Sequence, residues 1–121
     1  MNDQHCLFEY LYRDAGNYKV WGSILLRGFV TPGDVAALRA SLDSGDWFVA
    51  EQVDVPPLYK ALWELSGGPT EEDHAFHEFH DLRSATPAEA IELVPWGHVN
   101  ELLHAFQRVS HKWNCSLSPN G

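Results

Sequence analysis

At 121 residues and 13.7 kDa, with 45% hydrophobic residues and five tryptophans, the chain has the material for a single domain with its own hydrophobic core. No apolar run approaches the roughly 20 residues that cross a bilayer, and the start MNDQHCLFEY lacks the basic end and apolar stretch of a secretory signal, so a cytoplasmic protein is expected. The formal net charge of −9 is uneven: residues 1–42 balance, whereas residues 43–101 carry thirteen acids against Lys60 and Arg83 alone. That excess excludes direct binding to nucleic acid or anionic lipid, which needs a basic stripe, and implies a partner protein with a basic surface.

Residues 7–12 place Phe8, Tyr10 and Tyr12 on one side of an extended chain and Leu7, Glu9 and Leu11 on the other, as in a strand. Asp14, Ala15, Gly16 and Asn17 form a turn cluster, and the aromatic and β-branched pattern of residues 18–30 completes a hairpin. A helix over 18–27 competes, because Tyr18, Trp21 and Leu25 fall on one helical stripe; Gly22 inside it would cost about 1 kcal/mol relative to Ala. Thr31, Pro32, Gly33 and Asp34 start a helix, with Thr as N-cap, Pro in the first position and an acid in the third, and Val35, Leu38 and Leu42 line one side of it. Gly45 turns the chain into a third strand over 47–53, which Pro56 and Pro57 close.

Leu58, Ala61, Leu62 and Leu65 then follow the spacing of an amphipathic helix, ended by Gly67 and Gly68. Thr86, Pro87, Ala88 and Glu89 repeat the helix-start pattern and predict a short helix to Glu92, broken by Val94, Pro95, Trp96 and Gly97. A last helix over 98–113 sets Val99, Leu102, Leu103, Phe106 and Val109 on one stripe and puts Arg108 and Lys112 near its C-terminal end, where the macrodipole favours cations. The whole predicts an α+β fold in the order ββαβαβαα, a mainly antiparallel sheet with helices packed on one face. Cys6 and Cys115 read as free packing thiols.

The unusual stretch is residues 71–83, EEDHAFHEFHDLR, with three histidines among acids and two phenylalanines. If it is extended, His74, Phe76, Glu78, His80 and Leu82 share one face, and His77, Phe79, Asp81 and Arg83 share the other. If it is helical, His74, His77, Glu78 and Asp81 gather as a ligand set. The strand is preferred, because Gly67, Gly68 and Pro69 stop the preceding element and Thr86 with Pro87 opens the next helix after an extended approach.

No dinucleotide fingerprint, Walker loop, nucleophile elbow or zincin signature occurs, so no cofactor is implied. Acids and aromatics together suggest recognition: Trp47, Trp63, Glu71, Glu72, Asp73, Glu78, Asp81 and Trp96 are the candidate binding residues of a small acidic binding or inhibitor protein. It would be immunity-like or charge-mimicking, and would occupy a basic surface of its partner. The rival is a metal-dependent enzyme, a hydrolase, in which His74, His77 and His80 hold a divalent ion beside Glu78 and Asp81. On a strand His77 stands apart from the other two imidazoles, so the expectation is a metal-free protein whose fold is nearly indifferent to His77→Ala.

Overall fold

The computed structural model describes residues 4–13, 19–58 and 76–114. The expected turn at 14–17, the helix at 58–65, Trp63, Glu71 to His74 and Cys115 fall largely or wholly outside them. The described elements are β1 (His5–Arg13), β2 (Lys19–Arg27), α1 (Pro32–Ser41), β3 (Trp47–Val49), a 3₁₀ turn (Ala50–Val53), β4 (Phe76–Ser84), α2 (Pro87–Glu92), β5 (Pro95–His98) and α3 (Val99–Arg108). The strands form one mixed sheet in the order β3-β4-β1-β2-β5, with every pairing antiparallel except β2 with β5. The fold is α+β, as the pattern predicts.

β1 lies at the centre, and it is buried on both sides. Cys6, Phe8 and Tyr10 face the main core and Tyr12 packs in a smaller cluster with Val20 and Leu58, while Leu7 and Leu11 are covered on the opposite face. That double burial explains a strand in which only Glu9 and the two end residues are polar. Phe8 is the hub of the core, with ring centroids 5.4 Å from Tyr10, 5.6 Å from Phe79 and 5.8 Å from both Phe48 and Phe106. Leu38 of α1 and Val99, Leu102 and Phe106 of α3 close over this cluster, so both of these helices pack on the same face of the sheet.

Both Thr-Pro starts form complete capping boxes. Thr31 and Asp34 exchange side-chain-to-backbone hydrogen bonds at α1, and Thr86 and Glu89 do the same at α2. The helical alternative for residues 18–27 is replaced by β2, which pairs with β1 over its full length. Gly22 sits opposite Tyr10, and a Cβ there would lie 2.8 Å from the Leu58 side chain and 3.2 Å from the Tyr10 ring. The glycine that weakens a helix serves here to let a crossing segment approach the sheet.

Three boundaries differ from the expectation. The third strand ends at Val49 rather than 53, because Ala50–Val53 wind into a 3₁₀ turn that puts Ala50 and Val53 into the core and ends at Asp54 with φ 57°. The turn suits Ala, Glu and Gln, which are weak strand formers. Pro95 to His98, expected only as a break, forms β5 at the sheet edge beside β2. Proline is tolerated as the first residue of an edge strand, where it forfeits no ladder bond. The last helix ends at Arg108, and the chain beyond it turns through His111 at φ 63°.

On the face away from α1 and α3, Arg83 of β4 joins Glu9 at 3.1 Å and Glu89 of α2 at 2.8 Å. Glu89 is thereby held well below the usual carboxylate range, at about 2, first by the Arg83 hydrogen bonds and then by the Thr86 N–H. A carboxylate whose folded value is depressed contributes stability that is present above its ordinary value of 4.5 and is lost as pH falls from there to about 2. Glu89→Gln keeps an acceptor for the Thr86 N–H but removes the charge. The difference in urea midpoint between wild type and variant should therefore be largest at neutral pH, shrink below about pH 4.5 and vanish near pH 2.

Candidate functional site

β4 carries His77 and His80 with the acids Glu78 and Asp81, and it is a strand. Opposite β1 it runs Leu82 against Phe8, Asp81 against Glu9 and Phe79 against Tyr10, so His80 is an extra residue in a β-bulge. The bulge shifts the alternation. His77 and Phe79 face the core as strand parity requires, but beyond His80 the phase reverses. Leu82 joins them in the core (3% exposed), and Arg83 goes to the opposite face with Glu9. Leu82 therefore does not share a face with Phe76, Glu78 and His80, as simple alternation predicts.

His77 is fully buried, ringed by Tyr12 at 5.1 Å, Phe48 at 5.8 Å and Tyr10 at 6.1 Å. Its Nε2 accepts the backbone N–H of Leu58 at 2.9 Å, so the imidazole is neutral with its proton on Nδ1. His80 is exposed on the other face, edge-on to the Trp21 ring at 4.9 Å. One metal ion cannot take both of these imidazoles, and His74 lies outside the described residues. Among the described residues, no three His, Cys, Asp or Glu side chains cluster as a metal site would require.

The other candidate residues divide. Trp47, Glu78, Leu11 and Trp21 stand in one cross-strand row over β3, β4, β1 and β2. Trp47 is half-buried and Trp21 is 52% exposed. Glu78 is paired with Arg13 at 3.0 Å, and the Asp81 carboxylate accepts the neighbouring Leu82 N–H at 2.9 Å. Trp96 packs on the core, and its indole N–H donates to the Asp54 carbonyl at 2.9 Å. Trp63, Glu71, Glu72 and Asp73 lie outside the described residues.

Ion pairing changes how the acidic charge is distributed. Glu9 and Glu89 share the single positive charge of Arg83, which offsets one of their two negative charges, and Glu78 is paired with Arg13. Asp43, Asp46 and Asp54 are exposed and make no ion pair among the described residues. They belong to the α1–β3 turn and to the end of the 3₁₀ turn, on a framework held firmly in place. The Asp43 N–H donates to Trp47 O at 2.8 Å, the Phe79 N–H at the bulge donates to Asp46 O at 2.9 Å, and Trp96 holds the Asp54 carbonyl. Sequence reasoning counted these aspartates in the acidic stretch but did not single them out, because nothing in the sequence says which acids will meet an arginine. Trp21 is a surface residue too, since strand alternation places it with Lys19 and Arg27, away from Ile24 and Leu26.

Compared with known protein families, curated proteins and solved structures, the chain matches none.

The burial of His77 overturns the expectation that His77→Ala is silent. Removing a fully enclosed ring leaves a cavity and strands the Leu58 N–H, which should cost about 2–4 kcal/mol. His80→Ala, at an exposed position, should stay within about 0.5 kcal/mol of wild type. Urea unfolding of the two variants checks both values.

Proposed function

We propose that the protein is a small acidic binding protein, immunity-like or charge-mimicking, which occupies a basic surface of a partner protein in the cytoplasm. The supporting observation is the placement of charge. Arg13 and Arg83 are engaged by Glu78, Glu9 and Glu89, so the negative field that reaches solvent comes chiefly from acids without such partners, among them Asp43, Asp46 and Asp54. Exposed charge of one sign on a rigid frame steers an oppositely charged partner and fixes its orientation, at little cost in ordering the site. Trp21 and Trp47, on the sheet face beside β4, supply aromatic area of the kind that anchors protein interfaces. No helix among the described residues is long and apolar enough to cross a membrane.

Partners recovered by pull-down and identified by mass spectrometry should present a basic surface. Association measured by stopped flow should slow by about tenfold or more when ionic strength rises from about 0.01 M to about 0.15 M, as the screening length falls from about 30 Å to about 8 Å. Combined Asp43→Asn, Asp46→Asn and Asp54→Asn should lower the low-salt rate by a similar factor and leave dissociation much less affected. A partner that is itself acidic, or a rate indifferent to salt, would overturn this function.

A further inference from the structure

Between the α1–β3 turn and the chain beyond α3 lies a cleft of about 350 Å³, lined by Leu42, Asp43, Ser44, His111 and Trp113. Its lining is mixed: one carboxylate, one hydroxyl, one imidazole, one indole and the aliphatic side chain of Leu42. We propose that this cleft receives a single arginine side chain of the basic partner, with the guanidinium against the Trp113 ring and its charge met by Asp43. The proposal rests on the basic-partner reading above and names the group that this reading leaves open.

Four features favour arginine. The cleft is at the small end of ligand sites, with room for one long side chain and too little for a helix or strand. A planar, weakly hydrated guanidinium stacks on an indole while its several donors meet oxygen acceptors, here the Asp43 carboxylate and the Ser44 hydroxyl; a compact, strongly hydrated ammonium uses only the charge.

The recognising groups are also fixed in advance. The Trp113 indole N–H donates to the Ser41 carbonyl at 2.8 Å, and its ring packs against Phe106 at 5.8 Å and Phe48 at 6.4 Å. Gln52 holds the same segment from the other side, donating to the Lys112 carbonyl and accepting the Asn114 N–H. Asp43 is tied in both directions to Trp47, N–H to O at 2.8 Å and O to N–H at 3.0 Å. Finally, Ser44 and His111, on the two sides of the cleft, hold left-handed backbone conformations with φ 55° and 63°, which non-glycine residues seldom adopt. The cations nearest in the chain leave the site open: Arg39 lies over the Phe79 ring at 4.8 Å, and Lys112 is not among the lining residues.

The test uses the full chain, ¹⁵N-labelled, with N-acetyl-argininamide as the probe and its neutral citrulline analogue as the control. The arginine probe should shift the Trp113 indole N–H and the Asp43 and Ser44 amides, and the citrulline analogue should leave them in place. Asp43→Asn, with an otherwise unchanged spectrum, should weaken the arginine probe at least about threefold, while Asp46→Asn should weaken it less. Hexa-arginine and hexa-lysine at low salt separate the two levels of the argument. If both peptides bind but the cleft signals stay still and Asp43→Asn has no effect, the cleft proposal is overturned and the basic-partner reading stands. If neither peptide binds, both are overturned.

Discussion

The bulge at His80 is the constraint on which the rest of the molecule depends. Phe8 can sit at the centre of an aromatic core only if β4 turns His77, Phe79 and Leu82 toward it, and no regular strand can send residues 77, 79 and 82 to one face. One extra residue resolves the conflict. It leaves His80 on the solvent face against Trp21 and frees Arg83 to bridge Glu9 and Glu89 on the outer side. It also places the Phe79 N–H where it donates to Asp46, tying the acidic turn to the middle of the sheet.

A second dependence runs through residues 50–58, which leave the sheet edge and cross the core face. The segment has little regular structure, so its backbone groups need partners among side chains. Tyr10 donates its hydroxyl to the Pro56 carbonyl at 2.6 Å, Trp96 donates to the Asp54 carbonyl at 2.9 Å, and His77 accepts from the Leu58 N–H at 2.9 Å. Each of these side chains gives apolar area to the core and one polar atom to the segment. Burial drives the Tyr10 hydroxyl above its ordinary range and pushes the Cys6 thiol up to about 11, so both stay protonated donors rather than reactive anions. His77 belongs to this group. Its burial and its bond to Leu58 give it a place in the framework of the core.

The charge follows the same logic of depletion. The stretch between residues 43 and 101, with its thirteen acids, looks uniformly negative, but the folded molecule engages Glu9, Glu78 and Glu89 with Arg13 and Arg83 on and beside the sheet. Asp43, Asp46 and Asp54 remain exposed on backbone that Trp47, Phe79 and Trp96 hold by hydrogen bonds, and the Trp113 cleft opens beside Asp43. A partner meeting this edge would find charge on a frame already in its bound shape, a condition that spares the ordering cost of association.

Local signals settled much of the fold in advance. Period-two alternation in β1, the two Thr-Pro capping boxes and the apolar stripe of α3 are properties of a few adjacent residues, and each appears where the pattern puts it. The strand over 76–84 was also legible, because glycine and proline before it and Thr-Pro after it bound the segment on both sides. Tertiary structure decided the remainder. The bulge leaves no mark in the local pattern, since it answers the packing of Phe8 from another strand. β5 carries only four residues that begin with proline, and it is a strand because the chain beyond α2 returns beside β2. Which acids remain charged toward solvent depends on which of them the arginines of β1 and β4 can reach, and those partners lie up to 74 positions away in the chain.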